Sequence, residues 1–134
     1  MSTDFAPATT SKGMIWAGWI LSVLPAPLLI MSGISKITLS KEVVEGFGQM
    51  GWTTEPAMAL AALEIGSLIL YLVPQTAVLG AILLTGYLGG ACATHVRIGD
   101  YAHCWVPVAM GVVLWLGLFF RDSRIRALVP IRTL

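Results

Sequence analysis

Between Lys12 and Lys36 the chain runs for twenty-three residues without a formal charge. A helix rises about 1.5 Å per residue and the hydrocarbon of a bilayer is about 30 Å thick, so a run of roughly 20 such residues is what a membrane crossing demands. Three more apolar runs follow. One covers residues 56–73 and is interrupted only by Glu64, another covers residues 77–98, and the last covers residues 101–120 and stops at Arg121. Since unpaired backbone groups cannot sit in lipid, each run is predicted to be helical. The expected fold class is therefore all-α, an integral membrane four-helix bundle with spans at about 13–35, 56–73, 77–98 and 101–120.

Composition agrees with this. Of 134 residues, 57% are hydrophobic and 11% charged, where a soluble domain carries about 25% charged residues. The net charge of +1 comes with no basic stripe, which argues against a nucleic-acid partner. The first run is too long for the apolar core of a secretory signal and no small-residue cleavage motif follows it, so it reads as a retained span.

Residues 1–11 are polar and are expected to form a disordered tail, residues 12–128 the transmembrane domain, and residues 129–134 a C-terminal tail. Pro25 and Pro27 each remove a backbone donor and should kink the first helix. Trp16 and Trp19 stand where an interfacial aromatic belt would lie. In the polar connection that follows, Val43, Val44, Phe47 and Met50 recur near helical spacing while Lys41, Glu42 and Glu45 point elsewhere, which predicts a short amphipathic helix on the membrane surface. Pro74-Gln75-Thr76 is a tight turn, so the second and third spans should form an antiparallel hairpin. Gly86 and Gly90, four apart, allow a close helix approach, either within the bundle or across a homodimer face.

Orientation follows from Lys and Arg. Lys12, Arg121, Arg124, Arg126 and Arg132 fall on the side of both termini, against Lys36, Lys41 and Arg97 on the other. This bias predicts cytoplasmic termini and an outward-facing end that gathers the informative polar groups. Lys36 closes the first span there, Glu64 lies about two turns inside the second, His95 and Arg97 close the third, and Asp100 and His103 follow in the loop. A carboxylate in lipid is costly, so Glu64 should face the bundle interior. Paired with Lys36 or Arg97 it stays ionised as a latch; paired with His95 alone it could share a proton as an acid/base pair. Tyr87, Ala91 and His95 lie on one helical face, flanked by Cys92 and Thr94. With Glu64 and Ser67 opposite, they could line an outward-opening pocket for an amphiphile such as a quinone or a lipid-like molecule. Cys92 and Cys104 read as independent, non-catalytic cysteines, although a disulfide or a redox pair remains open; His95, His103 and Cys104 fit no familiar metal spacing, and no metal is assigned.

The same residues carry a resemblance. Ser32-Gly33-Ile34-Ser35-Lys36, Glu64, the segment from Leu84 through Thr94-His95-Val96-Arg97-Ile98-Gly99-Asp100, and Arg121-Asp122-Ser123-Arg124-Ile125-Arg126-Ala127-Leu128 resemble the DoxX-like family of small bacterial membrane proteins. The resemblance implies a four-helix bundle in the cytoplasmic (inner) membrane, no established activity for most members, and a link to membrane redox complexes, because the family name derives from a subunit of a thiosulfate:quinone oxidoreductase. It points to Lys36, Glu64, His95, Arg97 and Asp100. No suitably spaced cysteine pair or cofactor motif accompanies them, so a partner protein would supply the electron-carrying group. The leading expectation is an accessory component that binds a small lipophilic molecule through Lys36, Glu64, Ser67, Tyr87, His95, Arg97 and Asp100. A membrane isomerase or hydrolase using Glu64 and His95 as acid and base is one alternative, and a structural subunit or assembly factor without ligand is another.

Overall fold

The computed structural model describes residues 10–132, so most of the expected N-terminal tail and the last two residues lie outside it. Among the described residues the regular structure is helical throughout, with α1 at Lys12–Val23, α2 at Ala26–Ile37, α3 at Lys41–Gln49, α4 at Ala57–Leu72, α5 at Ala77–Arg97, α6 at Tyr101–Arg121 and α7 at Ser123–Leu128. Lys12–Ile37, Ala77–Arg97 and Tyr101–Arg121 are long and apolar enough to cross a membrane. Helix α4, at 16 residues, is apolar but shorter, about 24 Å long at the helical rise.

Prolines break the first apolar helix where the sequence placed them. Pro25 precedes α2 and Pro27 occupies its first turn, where a missing N–H costs no helical bond. The break has a packing consequence, because α1 packs on α6 whereas α2 packs on α4. Helix α4 in turn packs on α5, and α5 on α6, which closes the bundle. The core cluster includes Leu29 of α2, Leu68 and Tyr71 of α4, Leu84 and Leu88 of α5, and Leu114 and Leu118 of α6.

Close helix approaches occur at glycines other than the expected ones. A Cβ at Gly80 would stand 2.2 Å from the Tyr71 nitrogen, and one at Gly117 would stand 2.6 Å from Ser22 Oγ, whereas Gly86, Gly89 and Gly90 have open space around that position. The four-residue spacing on α5 therefore does not serve packing within the bundle, which corrects that expectation. At the Gly117 contact Tyr71 ties three elements together: its hydroxyl donates to the Leu114 carbonyl at 2.6 Å and lies 2.9 Å from Ser22 Oγ.

The amphipathic α3 is present. Ser40 caps it by accepting from the Val43 N–H, and Lys41 pairs with Glu45 one turn on. Val43, Phe47 and Met50 turn inward, but Val44 is exposed, because at 100° per residue it falls off the stripe that the other three define. Helix α7 is an element the sequence reading did not separate from the basic tail. Asp122 caps it through the Arg124 N–H, and Ile125 anchors it in the core.

Candidate functional site

Lys36 lies in the last turn of α2 and would run into apolar surroundings if its side chain stood straight out. Helical side chains lean toward the N-terminus, and Lys36 leans back one turn to Ser32, placing Nζ 2.5 Å from Ser32 Oγ and 3.3 Å from the Ser32 carbonyl oxygen. There it meets Glu64 of α4, donating to Oε2 at 2.9 Å. Ser32 Oγ also donates to that oxygen, at 3.3 Å. Glu64 is 1% exposed and Lys36 9%. On the same contact Gly33 leaves room for the Ile65 side chain: a Cβ there would meet Ile65 Cδ1 at 2.6 Å. The Tyr87 ring of α5 stands beside the pair, with its centroid 5.7 Å from Nζ, which is within the range of a cation–π attraction.

A second polar group forms where α5 ends. Gly99 adopts φ +75, a backbone conformation costly for other residues, and the chain reverses so that the Asp100 N–H donates to the His95 carbonyl. The reversal brings the Asp100 carboxylate within 3.1 Å of His95 Nδ1, while its other oxygen caps α6 at the His103 N–H and lies 2.8 Å from His103 Nδ1. An ionised carboxylate only accepts, so the His95 Nδ1 that faces Asp100 carries a proton. Asp100 lies between the two long helices, and its carboxyl is held below the usual carboxylate range, chiefly by the bond to His103, with His95 adding to it.

These pairings differ in part from the sequence expectations. Glu64 faces the interior and takes Lys36, one of the candidate bases. His95 bonds to Asp100, and among the described residues no hydrogen bond joins Glu64 to His95, so the proposed acid/base pair is not formed. Arg97 is exposed; its Nη2 donates to the Met50 carbonyl and ties the end of α3 to the end of α5. Ser67 is buried with its Oγ lacking a hydrogen-bond partner, on the core side of α4 and not on a pocket wall. His103 sits in the first turn of α6 and not in a loop. Cys92 and Cys104 are both free thiols.

Between α2, α3, α4 and α5 lies a pocket of about 490 Å³. Val43, Gly46 and Phe47 of α3 and Met50 just after it form one side of it with Trp52, Leu60 and Leu63 form an apolar wall from α4, and Gly86, Tyr87, Gly90, Ala91, Thr94 and His95 present one face of α5. Its polar edge comprises Ser32, Lys36, Glu42, Thr94 and His95, while Glu64 stays behind Lys36. The open glycines thus border empty space and widen the pocket. Sequence reasoning missed Ser32 and the aromatic pair Phe47 and Trp52, whose rings are 6.4 Å apart. The i,i+4 spacing of Ser32 and Lys36 was a usable signal, whereas nothing in the sequence showed that α3 would fold over α5. A larger groove of about 840 Å³ runs along α5 and α6. Its walls are almost wholly apolar and Cys92 is its one ionisable side chain, so the convergent polar chemistry lies in the smaller pocket.

The apolar helices, the buried ion pair and the pocket above it define a small polytopic α-helical membrane protein. Residues 20–117 match the DoxX-like family, and the chain belongs to that family. Comparisons with curated proteins and with solved structures returned no match.

Proposed function

We propose that the protein binds a small lipophilic molecule with a polar head, a quinone or a lipid-like compound, in the pocket beneath α3, and that it does so as an accessory component of a membrane redox system. The observation that carries this is an apolar cavity of about 490 Å³ converging on a Lys36 ammonium whose counter-ion, Glu64, is buried behind it. Its volume falls within the range of small-molecule sites, roughly 300–1,000 Å³. The lining suits a quinone head: Lys36 brings a positive charge to the polar edge, Tyr87 supplies a ring to stack on, and Thr94 and His95 line the same edge. A bound quinone would bring electron-carrying chemistry; the protein's own residues position the head and keep it from water. The lipid-facing helices give the tail an apolar exit.

In this proposal the helices Lys12–Ile37, Ala57–Leu72, Ala77–Arg97 and Tyr101–Arg121 cross a bacterial cytoplasmic membrane, both termini are cytoplasmic, and the pocket opens on the outer side. The Lys and Arg bias toward the terminal end supports that orientation. Native mass spectrometry from a gentle detergent, with extraction and identification of bound molecules, tests the function. One lipophilic molecule per chain is expected, and Gly90→Leu, which fills the pocket, should abolish it while the helical circular dichroism is unchanged. A chain that carries no such molecule, or whose Gly90→Leu variant retains it, would rule the proposal out.

A further inference from the structure

At the opposite end of the bundle Arg121, the last residue of α6, is held between two rings: its Cζ is 4.4 Å from the Trp19 centroid and 4.7 Å from the Tyr71 centroid. One nitrogen, Nη2, donates to the Tyr71 carbonyl at 2.6 Å. Nε and Nη1 are buried without a hydrogen-bond partner, and among the described residues no carboxylate lies within ion-pairing distance of this guanidinium. The one acid nearby, Asp122, is committed to Arg124 at 3.3 Å and to capping α7. A desolvated cation with unused donors is costly unless an acceptor reaches it.

Beside Arg121 is a cavity of about 360 Å³, bordered also by Trp19, Pro74, Asp122, Ser123 and Arg124. Among the described residues two arginines face one aspartate there, so the described lining carries net positive charge. Arg126 adds a further cation nearby, its Nη1 resting on the Phe119 and Phe120 carbonyls that end α6. The apolar helices stop at this level, which is where the phosphates of a leaflet lie.

We propose that this cavity is a binding site for a phosphate-bearing molecule of net negative charge, with Arg121 and Arg124 supplying the charge and Ser123 a hydroxyl donor. Planar guanidinium groups match the oxygens of a phosphate through paired N–H donors, and a basic pocket among membrane helices at headgroup level is where an anionic lipid is held. The phosphate can belong to a lipid headgroup or to a soluble phosphate ester. The site is separate from the pocket beneath α3 and does not depend on what that pocket binds.

The test is native mass spectrometry of the full chain in a neutral detergent with equimolar phosphatidylglycerol and phosphatidylcholine, with and without glycerol 3-phosphate. Preferential retention of phosphatidylglycerol that glycerol 3-phosphate does not displace identifies a lipid headgroup; direct binding of glycerol 3-phosphate, or displacement by it, identifies a soluble ester. Either supports the site. Because removing Arg121 also strips the Tyr71 carbonyl of its donor, the decisive variant is Arg124→Glu, whose side chain is 82% exposed. It should weaken retention about tenfold, with unchanged circular dichroism, while Arg132→Glu, outside the cavity, should leave it unaltered. Equal retention of the two lipids with no binding of glycerol 3-phosphate, unchanged binding in Arg124→Glu, or an equal loss in Arg132→Glu would overturn the proposal.

Discussion

Lys36 Nζ and Glu64 Oε2 are 2.9 Å apart inside a bundle where both side chains are almost wholly withdrawn from the surface. Taking one partner of such a pair away leaves a buried charge alone, at a cost of about 3–5 kcal/mol, whereas replacing both with apolar groups is often neutral. Lys36→Met should therefore lower stability sharply, and Lys36→Met with Glu64→Leu should recover most of the loss. Glu64→Gln is expected to be milder in stability, since the amide oxygen still accepts from Ser32 and Lys36, but it should weaken ligand binding by changing the charge beside the pocket. Thermal unfolding in detergent of the native chain, Lys36→Met, Glu64→Leu and the double variant checks the coupling; additive single losses would show that the pair is not an energetic unit.

Glycine has two opposite uses along α5. A methyl group at Gly80 would drive into the backbone of Tyr71, while one at Gly90 enters open space. Overpacking a close contact costs about 1–3 kcal/mol and sometimes more. Gly80→Ala should thus destabilise the bundle by at least that amount, and Gly90→Ala should alter stability by no more than about 1 kcal/mol. The same unfolding assay separates them, and equal effects would mean that α4 and α5 are not in tight contact.

Asp100 gives the fold a dependence on acid. Its folded-state pKa is depressed, mainly by His103, so its contribution is fully present above the unfolded value of about 4 and is lost as pH falls through the lower folded value. Asn also caps helices, so Asp100→Asn keeps the bond to the His103 N–H and removes the charge. The variant should show a flatter melting temperature below about pH 4 than the native chain. Parallel curves would indicate that other carboxylates govern the acid limb.

Arg97 fastens the Met50 carbonyl and with it the end of α3. Arg97→Gln should speed amide hydrogen exchange at residues 47–52 without changing protection in α4. Unchanged exchange in that loop would show that α3 is held by its apolar face alone.

The membrane-bundle class was legible from the uncharged runs, because a bilayer sets both the length and the polarity of whatever crosses it. The break at Pro25, the amphipathic α3 and the burial of Glu64 were legible for equally local reasons: a missing N–H, a helical stripe and the cost of a carboxylate in lipid. What the sequence left open was pairing. Lys36, Arg97 and His95 were equivalent as partners for Glu64 when only their level in the bundle was known.

Tertiary structure decided among them through helix contacts that no local pattern encodes. Helix α2 packs on α4, so Lys36 reaches Glu64, and the reversal at Gly99 gives His95 to Asp100. Likewise Gly86 and Gly90 border a cavity and Gly80 a helix contact, although all three are small residues on one helix, because what each faces depends on how neighbouring helices cross. Sequence alone determined the class of protein, since lipid is a uniform constraint acting residue by residue; only the packed bundle determined the site, since distances between separate helices depend on all of their contacts together.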